Sequence, residues 1–220
     1  MNYSEIRAAI TPARLTAFDQ AALTRCQSQN EAIELYEWNA EISSALLLPM
    51  HYFEVVLRNA VHDALSLAYQ EQWPWDGSFV SSVRMKVGKY KPKNDLQQTA
   101  SRYHTTGKVI PEMKLAFWEQ MFTNSYDDAV WKPYLGTVFP NLTLANGIPN
   151  AARSVRNDIE KVRRIRNRVA HHEPIFSQNI QGVLDAIHSI SAYRSTDVGA
   201  WVKNAHRVNT VLTQRPSWYV

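Results

Sequence analysis

The chain has 220 residues, 45% of them hydrophobic and 20% charged, with only seven glycines and ten prolines. That composition fits one folded domain and excludes a collagenous or low-complexity chain. The single cysteine, Cys26, rules out an internal disulfide and a cysteine zinc cluster, and no other metal or cofactor motif is present. Met1 to Ile10 contains Glu5 and Arg7 and lacks the apolar run of a signal peptide. The longest strongly apolar stretch, Ala45 to Met50, is too short to span a bilayer. The expectation is a soluble protein of a reducing cytoplasm, with no membrane association.

Helical periodicity dominates from the start of the chain. Thr11-Pro12 reads as an N-cap followed by a first-turn proline, with Leu15, Phe18, Ala22 and Leu23 at helical spacing behind it. Asn30 is positioned to cap a second helix, carrying Ile33, Leu35, Tyr36, Ile42, Leu46 and Leu47, which Pro49 should interrupt. A third helix is predicted from Met50 to Tyr69, buried on one face through Phe53, Leu57, Val61 and Leu65. Trp73 to Gly77 is a turn, and Ser78 to Tyr90 a short helix ended by Lys91-Pro92-Lys93. Pro111 can start the next helix, with Leu115, Phe117, Trp118 and Met121, and Asp127 to Pro140 reads as short helical turns and loops. Asn146 to Pro149 is a turn. A long helix runs from there to about His172, and two more cover about 177–193 and 197–212. Strand patterns are nearly absent. The prediction is therefore an all-α single domain over 1–220 with fewer than ten helices. Its parts are N-terminal helices over 10–70, a central basic and aromatic segment over 78–140, a motif helix over 149–172 and C-terminal helices over 177–213.

The formal charge is only +4, but it is unevenly placed. Ala151 to His172 carries a net +5 and Arg84 to Lys108 a net +6, leaving −7 for the remainder. Two basic segments on an acidic body suit a polyanion-binding surface, although an isolated charge run is more often a solvated face. The candidate contacts are Arg163, Arg164 and Arg168 on the long helix and Lys89, Lys91 and Lys93 in the central segment. Tyr90 and Tyr103 could stack on bases beside those lysines, or belong to an ordinary surface loop.

The chemistry-bearing segment is Arg163 to Pro174. On a wheel of about 100° per residue, Val155, Ile159, Val162 and Val169 form one stripe, and Arg166 falls inside it. A guanidinium placed there is partly desolvated, keeps its charge, and needs an anionic partner or ligand. Asn167 and His171 lie on the polar face, four residues apart, so the amide can orient the imidazole. The helix C-terminus favours a protonated ring and the neighbouring arginines oppose it. Arg166 and His171 sit about 140° apart on an ideal helix. They converge on one phosphate only if the helix end unwinds or a second subunit supplies one of them, and a two-fold dimer would place two copies of each in one cleft.

Arg166-Asn167-Arg168-Val169-Ala170-His171-His172-Glu173-Pro174 resembles the motif of the Abi-like (abortive infection) proteins of bacteria, a branch of the HEPN superfamily. That motif is an arginine, commonly followed by a polar residue, with a histidine four to six positions on. Further stretches are similar to the same family: Ile10 to Leu15, Leu35 to Asn39, Phe53 to Ala60, and Phe117-Trp118. Together they run from about residue 10 to residue 176.

The resemblance implies an α-helical fold, a homodimer and metal-independent RNA cleavage without a cofactor, in phage defence or a toxin–antitoxin pair. An antitoxin or a phage-derived protein would then be a further partner. It implies that Arg166 holds the scissile phosphate, that His171 is the acid or base for attack by the ribose 2′-hydroxyl, and that Asn167 orients His171. His172 fits the permitted spacing as well, and so does Arg164 paired with His171. Glu54, Arg58 and Asn59 lie in a family-like helix. Glu54 and Arg58 could form an intrahelical pair, or Glu54 could support the site by pairing with an arginine of the long helix. The alternative function is a non-catalytic module that binds RNA or a protein as a sensor or regulator.

Overall fold

The computed structural model describes residues 2–219, and among them the chain is all-α, with twelve α-helices and no strand. The first two helices are α1 (Tyr3–Ile10) and α2 (Pro12–Leu23), the second opening on the predicted Thr11-Pro12 pair. α3 (Gln29–Tyr69) is one continuous helix of 41 residues, where the sequence suggested two. Its cap is Ser28 rather than Asn30. Ser28 and Glu31 form a reciprocal capping box, with the Ser28 amide donating to Glu31 at 2.9 Å.

Pro49 sits inside α3 and is buried. An interior proline costs about 3 kcal/mol. The burial of Ala45, Leu46, Met50 and Phe53 around it offsets that cost, at roughly 1.5–3 kcal/mol for each large apolar side chain. The joined helix contains an 18-residue window of mean hydropathy 1.2, long and apolar enough in composition to cross a bilayer. Sixteen of its residues are buried within the fold.

The central segment is short-jointed. It comprises a 3-10 turn at Trp73–Trp75, α4 (Gly77–Ser82), α5 (Pro92–Ala100), α6 (Thr106–Val109), a second 3-10 turn at Ile110–Glu112, and α7 (Leu115–Met121). The predicted helix from Ser78 to Tyr90 ends at Ser82. A tight turn closed by a Val87–Tyr90 bridge follows, with Gly88 at φ +61°. Trp73, Phe79, Phe117 and Trp118 make one buried aromatic cluster with centroids 5.2–6.4 Å apart. A further 3-10 turn at Asn124–Tyr126 and a π-turn at Asp127–Trp131 lead into α8 (Lys132–Val138).

After the predicted turn at Gly147 comes α9 (Ile148–Ala170), then α10 (Ile180–Arg194), α11 (Thr196–Asn204) and α12 (Val208–Thr213). The last two replace the single final helix expected over 197–212, so twelve α-helices stand where fewer than ten were expected. α3 is the axis of the domain. α2, α7, α8, α9, α10, α11 and α12 all pack on it, and α9 is wedged between α3, α7, α8 and α10.

Candidate functional site

α9 buries Ala151, Ala152, Val155, Ile159, Val162, Ile165 and Val169, which includes the predicted stripe. Ile165 and Val169 turn the buried face to one side in the C-terminal half. Arg166 is thereby left at the edge of the stripe, with 43% of its side chain exposed. There Arg166 Nε donates to Glu54 Oε1 of α3 at 3.0 Å. The anionic partner that the wheel required is thus Glu54, and no Glu54–Arg58 pair forms among the described residues. The Nη groups of Arg166 make no hydrogen bond among these residues. Arg58 is half-buried and Asn59 exposed, and neither side chain has a recorded hydrogen bond.

α9 ends in a Schellman turn. His171 is the C-cap, its amide donating to the Asn167 carbonyl at 3.0 Å. His172 follows at φ +54°, its amide on the Val169 carbonyl, and the Glu173 amide closes on Arg168. The helix therefore stays regular through Ala170, and the unwinding that would bring Arg166 and His171 together within one chain does not occur. Asn167 and His171 are both exposed. They meet through the Asn167 backbone carbonyl and not through the amide side chain that the sequence assigned to orienting the ring.

His172 has a backbone duty. Its left-handed conformation makes the turn, and its carbonyl accepts from Arg14 Nη1 of α2 at 2.9 Å. It also lines a groove of about 370 Å³ with Tyr36, Ser43, Leu47 and Val169.

The basic face of α9 is largely neutralised from within. Arg163 and Arg156 share Glu119 of α7, whose side chain is only 4% exposed. Arg163 takes one oxygen in a short hydrogen bond, and Arg156 Nη2 stands 3.8 Å from the other. Arg164 pairs with Glu160, and Lys161 with Asp158. Arg168 donates through Nε and Nη2 to the Pro174 carbonyl at 3.0 and 2.8 Å, with Glu173 3.6 Å away. Arg163 is therefore a structural staple in this conformation and not a free phosphate contact. Arg164 and Arg168 are exposed or half-exposed, with pairs that a polyanion can compete for.

Lys89 and Lys91 are exposed on the turn between α4 and α5, while Lys93 donates to the Ser81 carbonyl at 3.1 Å. Tyr90 is tied to Asp95 at 2.8 Å, and burial raises its phenol well above the usual range, so its hydroxyl stays protonated. Tyr103 is half-buried against the core.

Four polar side chains hold the motif helix and its exit. Arg14 holds His172. Asn39, 5% exposed, accepts the Ile175 and Phe176 amides at 2.7 and 3.1 Å. Glu54 holds Arg166, and Glu119, next to Phe117-Trp118, holds Arg163. Sequence reasoning assigned no role to Arg14, Asn39 or Glu119. For Asn39 and Glu119 the available signal was an amide or acidic residue at an otherwise apolar helix face.

Comparison with family profiles, with curated proteins and with solved structures gives no match. Among the described residues there is no cluster of three or more histidine, cysteine or carboxylate side chains.

Proposed function

We propose that the protein is a HEPN-type endoribonuclease working in the bacterial cytoplasm, in phage defence or as the toxin of a toxin–antitoxin pair. The reading rests on the resemblance of the 166–174 segment. One observation carries it: Arg166 is half-exposed and held by Glu54 through Nε alone, and His171 is exposed at the end of the same helix.

The Nη groups of Arg166 would bind the non-bridging oxygens of the scissile phosphate and stabilise the charge that develops there. His171 would take the 2′-hydroxyl proton, or give a proton to the departing 5′-oxygen. The new bond joins the 2′-oxygen to phosphorus as the 5′-oxygen leaves, and the product is a 2′,3′-cyclic phosphate. With about 140° between the two groups on a regular helix, the reading requires a homodimer in which one subunit's Arg166 faces the other's His171.

A second reading has one observation in its favour. Six of the seven cations on α9 already face carboxylates within the chain, which suits a non-catalytic module that senses RNA or a protein partner. Labelled RNA incubated in EDTA with the parent, Arg166→Ala and His171→Ala separates the two. Cleavage by the parent alone, leaving cyclic phosphate ends, supports the nuclease. RNA retained without cleavage supports the module, and equal cleavage by all three sinks the assignment of these residues.

A further inference from the structure

A second concavity lies at the end of α9 remote from His171. It holds about 220 Å³ and is lined by Thr123, Asn124 and Asp127 from the segment after α7, and by Pro149, Arg153 and Arg156 from the start of α9.

Its charge is unbalanced in a specific way. Arg153 is exposed and is the one cation of α9 with no carboxylate partner among the described residues. Arg156 is only loosely held. Its Nε is buried with no hydrogen-bond partner, and it must share Glu119 with the much closer Arg163. One carboxylate thus serves two guanidiniums. The first turn of α9 has no side-chain cap, so the positive end of the helix dipole adds to the same spot. Two guanidiniums beside the positive end of a helix are the cationic set of a phosphate site.

Asp127 refines the choice of ligand. Its carboxylate makes no side-chain hydrogen bond among the described residues, although it shares the cavity wall with both arginines. An ionised carboxylate only accepts hydrogen bonds, and it repels a bare anion. The occupant must therefore bring a donor alongside its negative group. A phosphate with a sugar hydroxyl next to it meets both demands.

We propose that this cavity seats one ribonucleotide of a bound RNA strand, its phosphate on Arg153 and Arg156 and a ribose hydroxyl on Asp127. The polymer's identity rests on the function proposed above, but the site's chemistry does not. Eighteen residues, five full turns, separate Arg153 from His171, so both lie on the same side of α9, roughly 27 Å apart. A strand following that side meets the cavity several nucleotides from the bond at His171.

The test measures binding by fluorescence anisotropy, using the 220-residue chain with His171→Ala as the non-cleaving background. The probes are a labelled 15-residue oligouridylate and its deoxy counterpart, with uridine 5′-monophosphate and inorganic phosphate as competitors. Adding Arg153→Ala should weaken oligouridylate binding about tenfold and flatten its logarithmic salt dependence by about 0.7, the share of one phosphate contact on a single strand. Asp127→Ala should reduce the preference for RNA over DNA. Circular dichroism and melting guard against misfolding, and Arg153 is exposed enough for its loss to be tolerated.

Unchanged affinity and salt slope with Arg153→Ala would overturn the proposal. So would deoxy binding equal to ribo binding, or competition by the mononucleotide as effective as by the oligomer. An inactive parent that still binds RNA through Arg153 defeats the nuclease reading alone. Cleavage with Arg153-independent binding defeats this proposal alone.

Discussion

Arg166 and Glu54 meet across the α9–α3 contact, 112 residues apart in sequence, through one hydrogen bond from Nε at 3.0 Å. Both side chains are partly in solvent, so the pair itself contributes only about 0.2–1 kcal/mol to stability. Its consequence is orientation: Nε is held and the Nη face stays available. On the proposed function, Glu54→Gln keeps an acceptor and is expected to retain RNA cleavage within about threefold, whereas Glu54→Ala should lower it by about 10-fold or more. Melting temperatures of the two variants should differ little. Single-turnover cleavage beside thermal denaturation checks both halves.

Glu119 is the opposite case. Its carboxylate is buried, and two arginines depend on it. Glu119→Ala strands Arg163 and Arg156 without their counter-charge. A loss of about 2–4 kcal/mol is expected, below the upper end for a fully buried pair because both arginines retain some solvent contact. The urea midpoint of the variant against the parent measures it.

His172 occupies the left-handed position of the Schellman turn, where glycine is favoured. His172→Gly should stabilise the protein by about 0.5–1 kcal/mol. On the proposed function it should also leave cleavage intact while His171→Ala abolishes it. That pair of variants, assayed together, decides which histidine acts.

His188 of α10 and His206, just beyond α11, place their Nε2 atoms 3.0 Å apart with rings nearly parallel. Burial lowers both below the ordinary value of 6.5, and for His188 the neighbouring His206 and Lys203 lower it further while Asp185 opposes them. A histidine depressed in the fold binds its proton more readily when unfolded. Stability from this pair is therefore full above about pH 6.5 and falls as pH drops through the folded values. Urea midpoints should decline from pH 7.5 to pH 5, and His188→Gln should make the decline shallower.

The helical class, the turn before α9 and the α9 core stripe were legible because 3.6-residue periodicity is a local property of the chain. Pro49 misled because its local cost is real, and only the burial of its neighbours by surrounding helices outweighs it. Ser28 opens an S-x-x-E box whose reciprocal bonds outweigh the capping potential of Asn30 two positions later. The Ser78 to Tyr90 segment has helix-compatible residues but spends them on a tight turn around Gly88. At the site, the spacing of Arg166, Asn167 and His171 was readable, and so was the need of Arg166 for an anion. The identity of that anion was not fixed in advance, because Glu54 is brought near only by tertiary packing. Glu119 lay deeper still: nothing local distinguishes a carboxylate that will be buried under two arginines from one that will face water.

Asn39 and Glu54 lie fifteen residues apart on one unbroken rod, and both clasp the motif region, one beyond the helix end and one within it. Two clasps about 22 Å apart along one continuous helix fix the motif helix both within its length and beyond its end. On the proposed function, an RNA arriving there would meet a surface already set, so accommodation would fall to the incoming strand, and discrimination among RNAs would be exerted through their bend and fray rather than through any closing jaw.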